Sequence, residues 1–211
     1  MGCQILYIRP HAIQGQLSDL ILSKRGLNTL MFSDPYAKLC FVGHLVSQFD
    51  DVTYIDLDTT FTAYWNVRIL KSNNITIYLP SEGRLVSIIK EVLESMHKSS
   101  LVVFDSVNSF YNLFNTQHRI GSLNHLLSII LMLLVRRGVD EKIPVLATSM
   151  LRYRKDRGWF QSPSSRRLLQ HRSAARLSVE LKERNIALTV LDHDSIPVGT
   201  QIVYEDSLIT V

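Results

Sequence analysis

Lys38 and Asp105 are the residues of this chain whose types and settings suit phosphate chemistry. Asp105 closes the run Leu101-Val102-Val103-Phe104, which shows no polar alternation and follows the punctuation Lys98-Ser99-Ser100. Such a run reads as a strand buried on both faces, the habit of a parallel α/β sheet. A carboxylate at the carboxyl end of that strand stands where open α/β sheets hold their ligands. In nucleotide-hydrolysing proteins an Asp at that place holds the magnesium ion that bridges the phosphates. Lys38 lies where strand, tight loop and helix follow one another, the setting of a phosphate-binding loop. That loop needs glycines, so that backbone N–H groups converge on the phosphates, a Lys for their charge, and Ser or Thr for the metal. Against G-x-x-x-x-G-K-[ST], the stretch from Phe32 to Leu39 supplies the lysine alone. Phe32 and Ala37 occupy the glycine positions, Leu39 replaces the hydroxyl, and Pro35 removes one backbone donor. The plain alternative for Asp105 is a strand-end carboxylate that caps the next turn, accepts hydrogen bonds from the degenerate loop, or pairs with Lys38.

A second group is basic. Arg152, Arg154, Lys155, Arg157, Arg166, Arg167 and Arg172 stand against one acid, Asp156, with Tyr153, Trp159 and Phe160 interleaved. Cations that neutralise phosphates and aromatic faces that stack on bases are what single-strand binding requires. The competing readings are a solvated basic loop whose aromatics pack locally and a docking surface for an acidic partner. His118 and His125 lie seven apart with no third ligand in view, so no metal site is expected. Cys3 and Cys40 are too few for a disulfide framework or a zinc site, and Cys40, beside Phe41 and Val42, reads as a small core residue. A reducing, cytoplasmic setting follows as the expectation.

The elements that must hold these residues alternate between strand and helix. Strands are expected at 27–32, 52–58, 74–79, 101–105 and 144–149, with a short edge strand at 3–8. Helices are expected at 17–22, 38–49 and 85–96, the last with Leu85, Ile88, Ile89, Val92, Leu93 and Met96 on one side. A long apolar helix is expected at 122–136, closed by Arg136, Arg137 and Gly138. Its apolar run, 126–135, is about half the ~20 residues that a membrane span needs and reads as a buried helix. Beyond Asn185 the pattern changes to short strands at 186–191, 200–204 and 208–211, an antiparallel appendage. The alternation argues for βαβ units and a mainly parallel sheet. A chain of 211 residues with 46% apolar content suits one globular domain spanning 1–211. The net charge of +4 is modest, no secretory signal is visible, and Leu6 stands where myristoylation wants Ser or Thr.

The order of parts resembles the RecA-like ATPase core, and within it the archaeal RadA/RadB recombinases and KaiC-like proteins. The resemblance rests on the strand–loop–helix through Lys38, Val52-Thr53-Tyr54-Ile55-Asp56-Leu57-Asp58, and Leu101 to Val107 in sequence. It continues through Arg166 to Leu177, which is similar to the segment after the family's second DNA-binding loop, and Asp192 to Gly199, which resembles its final proline-containing hairpin. It covers the chain from Gln14 onward, without the N-terminal helical domain of the longer recombinases. The resemblance implies an α/β, RecA-like three-layer fold: a mainly parallel sheet flanked by helices, with a C-terminal antiparallel extension. It also places the basic stretch at the second DNA-binding loop, and Asn115 to Gly121, with Arg119, at the first. His171 falls in the matched C-terminal segment as a structural residue.

Departures from the family decide the expected activity. Asp58 stands where the family has the Glu that orients the attacking water, one methylene shorter, and a misplacement of about 1 Å can cost on the order of 100-fold in rate. Ser149-Met150 replaces the Asn-Gln whose Gln senses the γ-phosphate. Of the nucleotide site, Lys38, Asp58 and Asp105 remain in degenerate form, which implies no catalysis and no bound cofactor. The expected function is a non-catalytic recombinase paralogue of archaeal type. Its expected partners are single-stranded DNA and an active RecA-family ATPase or further copies of itself, with no membrane, in recombination and repair. The alternatives are a scaffold or ring subunit, in the manner of the ATP-silent RecA-like subunits of the Elongator subcomplex, and a divergent, weak NTPase.

Overall fold

The computed structural model describes residues 5–7, 21–70, 74–114, 119–156, 158–161, 169, 173–183 and 185–205. Ten strands form the sheet: β1 (Ile5–Tyr7), β2 (Leu27–Phe32), β3 (Val52–Asp56), β4 (Ile75–Tyr78), β5 (Leu101–Asp105), β6 (Val145–Arg154), β7 (Gly158–Gln161), β8 (Ser173–Lys182), β9 (Asn185–His193) and β10 (Gln201–Glu205). Their order is β1-β10-β9-β8-β2-β6-β5-β3-β4, with β7 off this path and paired to β6. From β8 through β2, β6, β5 and β3 to β4 every neighbouring pair is parallel. The β8–β9 and β9–β10 pairs are antiparallel, and β1 adds parallel to β10 at the edge. The mainly parallel sheet and its antiparallel C-terminal extension are therefore both present.

The central strands β2, β3 and β5 read as apolar runs because they are covered on two sides. Leu101 and Val103 of β5 face one apolar cluster, Val102 and Phe104 the other. Helix α1 (Pro35–Val46) fills the first cluster with Phe41, Val42 and Leu45. The second holds Ile88, Ile89 and Val92 of α3 (Leu85–Ser95) with Leu127, Ile130 and Leu134 of α5 (Ile120–Glu141). Two short helices, α2 (Thr60–Asn66) and α4 (Val107–Asn112), follow β3 and β5 directly, and neither has enough length to show periodicity in the sequence.

Several boundaries differ from expectation, each for a physical reason. Helix α1 begins at Pro35 rather than residue 38, because Asp34 caps it and Pro is suited to the first helical position. Helix α5 runs to Glu141 and does not stop at Gly138. A Cβ on Gly138 would lie 2.7 Å from the Ile143 carbonyl oxygen and 2.7 Å from Val145 Cγ2, so this glycine serves a close approach, and the chain turns at Lys142 instead. Gly138→Ala is expected to cost about 1–3 kcal/mol by overpacking, against the ~1 kcal/mol gain that helix propensity alone gives, measured by urea unfolding. Helix α5 is also not buried all round: Ile129, Met132, Leu133 and Val139 are exposed. Strand β8 was not legible as a strand, and the basic stretch after residue 149 continues β6 into a hairpin with β7 rather than a loop. The expected helix at 17–22 lies outside the described residues except for its end, and the strand at 208–211 wholly so.

Candidate functional site

The carboxyl ends of β2, β3 and β5 meet at the start of α1. Asp34, extended at the helix N-cap, accepts hydrogen bonds from the backbone N–H groups of Tyr36 (2.7 Å) and Ala37 (3.4 Å). Pro35 brings no N–H. The donors that a helix N-terminus offers to an anion are thus turned onto the protein's own carboxylate. Four residues on, the Lys38 ammonium is equally engaged. It donates to Asp105 Oδ1 at 3.0 Å and Oδ2 at 2.7 Å, lies 3.6 Å from Asp58 Oδ2, and sits 5.3 Å from the centre of the Phe32 ring. Its side chain is 2% exposed and that of Asp105 fully buried.

Asp105 also accepts from the hydroxyls of Tyr54, on β3, and Thr148, on β6. Four hydrogen bonds converge on one carboxylate, which is what a buried charge requires. Burial works against the Lys38 ammonium, but the carboxylates of Asp105, Asp58 and Asp56 outweigh it and its pKa is raised. Burial, with the Asp105 charge beside it, pushes the Tyr54 phenol well up, so it stays a donor.

Asp56 completes the cluster. It is buried, and its Oδ2 accepts from Thr62 N (2.8 Å) and Thr62 Oγ1 (2.6 Å), while Oδ1 has no partner among the described residues. Burial, with Asp105 and Asp58 nearby, pushes its pKa up to about 6 despite the Thr62 bonds. Asp58 moves the other way. Burial raises it, but Lys38 and the Thr60 donors prevail and hold it below the usual carboxylate value. Carboxylate oxygens of Asp56, Asp58 and Asp105 lie within 4.8 Å of one another, a spacing a divalent cation could bridge. The Lys38 ammonium already bonds one of the three carboxylates and pairs with a second.

The basic residues stand on a hairpin that leaves the same edge of the sheet. Beyond Ser149, β6 emerges from the core and pairs with β7, setting Arg152 opposite Phe160, Tyr153 opposite Trp159, and Arg154 opposite Gly158. Opposed residues share a face, so the hairpin has two. One carries Arg152 and Arg154, the latter 5.7 Å from the Phe160 ring centre; the other carries Tyr153 and Trp159 in an edge-on contact at 5.4 Å. Tyr153 is 60% exposed and Trp159 54%. Gly158, at φ +66°, makes the turn. The base of the hairpin is tied to α4, where Asn108 Oδ1 accepts from Met150 N at 2.7 Å and from Ser149 Oγ at 3.3 Å.

The structure thus brings Lys38, Asp58 and Asp105 together, and gathers Arg152, Tyr153, Arg154, Lys155 and Trp159 on one hairpin. Arg119 stands at the N-cap of α5. Arg157, Arg166, Arg167, Arg172 and residues 115–118 lie outside the described residues. Asp34, Tyr54, Asp56, Thr62 and Thr148 were not singled out as site residues. The available signal was a hydroxyl inside an otherwise apolar strand, as in Tyr54 and Thr148.

A mainly parallel sheet between helical layers with an antiparallel C-terminal extension gives this chain a RecA-like α/β fold. The crystal structure of the RadB recombinase is similar to it with a TM-score of 0.66, covering 89% of this chain and 90% of that one at 14% identity. No protein-family model matches the sequence, and no curated protein matches it.

Proposed function

We propose that this protein is a recombinase-like accessory that does not turn over ATP and binds single-stranded DNA through the β6–β7 hairpin. In this reading it assists or regulates an active RecA-family ATPase in recombination and repair, in the cytoplasm. The observation that carries the proposal is the two-faced hairpin, exposed cations on one side and exposed aromatic rings on the other, at the strand-end edge of the sheet. Arginines there suit phosphates, and Tyr153 and Trp159 offer faces on which bases stack without regard to sequence. Likeness in fold to the RadB recombinase supports the setting.

Silence toward ATP is supported by the internal satisfaction of the phosphate donors. Asp34 holds the helix N–H groups and Asp105 holds the Lys38 ammonium. An incoming triphosphate would displace both carboxylates before gaining a contact. No turnover is expected with saturating ATP and magnesium, and a measurable, magnesium-dependent rate would sink this part of the reading.

The hairpin itself is tested by substitution. Arg152→Ala with Arg154→Ala should weaken DNA binding uniformly across sequences and reduce the slope of log affinity against log salt by about 2. Trp159→Ala should cost about 1–3 kcal/mol of binding through lost stacking. Binding unchanged in both variants would move the function away from the hairpin.

A further inference from the structure

We propose that two copies of this chain pair through the outer face of α5, antiparallel about a two-fold axis between Met132 and Leu133. A helix lying on a sheet normally turns a polar face outward. Along its middle the outward face of α5 is apolar instead, with Arg136 among these residues: Ile129 is 36% exposed, Met132 47%, Leu133 38% and Val139 42%. The inward face is occupied separately by Leu123, Leu127, Ile130, Leu131, Leu134 and Gly138. His125, Ile129, Met132, Arg136 and Val139 follow one another at intervals of four, three, four and three residues, the spacing of a seam that meets a second helix. Beside the seam lies a cavity of about 340 Å³ between α5 and the start of β2, lined by Leu27, Leu131 and Val135 together with Arg25, Ser128 and Arg136.

Charge selects the occupant and its direction. Along α5 the acids are Asp140 and Glu141, and Glu141 is paired within the helix to Arg137 at 2.8 Å. Asp140 is exposed at the C-terminal end of the seam, and His125 is exposed at its N-terminal end. The middle of the apolar stripe falls between Met132 and Leu133. Centring a two-fold there sets Asp140 of each copy opposite His125 of the other, Leu126 opposite Val139, and the aliphatic stem of Arg136 over Ile129. A parallel pair would instead oppose Asp140 to Asp140 and Arg136 to Arg136. The antiparallel pair also opposes the two helix dipoles favourably. From His125 to Asp140 the seam runs about 22 Å along α5. Such an isologous contact closes on itself, giving a dimer and not a ring. This pairing does not rest on the DNA-binding reading.

Sedimentation velocity of the full chain, in buffer without detergent and across the micromolar range, tests it. The wild type should be a dimer, and Leu133→Glu a monomer with an unchanged helical spectrum and a melting temperature that no longer depends on protein concentration. Asp140→Lys should weaken the dimer several-fold, and adding His125→Glu to it should restore the affinity, which only an antiparallel contact does. Arg152→Ala with Arg154→Ala should leave the dimer intact. A wild-type monomer throughout, including one that floats with phospholipid vesicles through α5, overturns the proposal. So does a dimer that survives Leu133→Glu, or a charge-reversed double variant as weak as Asp140→Lys alone.

Discussion

Replacing Lys38 by methionine is expected to cost the fold about 3–5 kcal/mol, the penalty for stripping one partner from a buried ion pair. Asp105 would be left as a fully buried carboxylate with only the Tyr54 and Thr148 hydroxyls to hold it. Against a typical domain stability of about 5–15 kcal/mol, this is a large fraction. Asp105→Asn in the same chain should recover much of the loss, because the buried charge that lost its partner is then gone. Urea unfolding of the two single variants and the double variant gives the coupling directly. The comparison distinguishes two roles for the lysine. A lysine that waits for phosphates stands solvated, and its removal lowers ligand affinity with little effect on stability. A lysine locked to its own strand-end carboxylate is a structural residue. A loss within about 0.5 kcal/mol, the range of surface substitutions, would contradict the locked geometry.

Asp56→Asn should make the protein more stable at pH 8, by up to about 3 kcal/mol. The reason lies in the direction of its pKa. The folded state lifts Asp56 to about 6, above the unfolded value near 3.9, so the folded protein holds that proton more tightly than the unfolded chain. The resulting stabilisation is complete below the unfolded value and is lost as pH rises through 6. Roughly two pKa units at 1.36 kcal/mol each set the magnitude. Asparagine keeps the acceptor for Thr62 and carries no charge, so the variant should gain on the wild type as pH climbs from 4 to 8. Asp58, held low by Lys38, acts oppositely, its contribution being present above the ordinary value and lost at lower pH. Burial lowers the pKa of His44, which adds a pH-dependent background of its own. Taking the difference between variant and wild type at each pH removes such background. A difference that stays flat from pH 4 to 8 would remove Asp56 as the proton-holding group.

Much of this arrangement could be read from residues alone. Strands β2 and β5 fall on their expected bounds because each is an apolar run between polar punctuation. The pairing of Lys38 with Asp105 was among the plain alternatives, since Asp105 ends one strand and Lys38 opens the helix that follows another. What escaped was long-range or two-sided. Asp34 reads as a turn residue, and only the helix beginning at Pro35 shows that its carboxylate has taken the N–H groups. Tyr54 and Thr148 reach Asp105 from strands on either side of β5, a contact set by strand order and not by local pattern. The hairpin looked like a loop because charged and aromatic residues alternate there, the polar mark of solvent on both faces. Helix α5 looked buried because its composition is apolar on both sides, and composition does not say which side meets the sheet. Strand β8 begins Ser-Ala-Ala-Arg, with little β propensity of its own, and is held by β2 and β9.

The central claim is that the strand-end site is closed on itself and that function has moved to the hairpin. Fluorescence anisotropy of labelled single-stranded DNA, titrated with this protein at several salt concentrations with and without ATP and magnesium, tests it most directly. The account predicts binding that weakens steeply with salt and is the same with and without nucleotide. Binding that requires ATP, or no binding at any salt concentration, would contradict it.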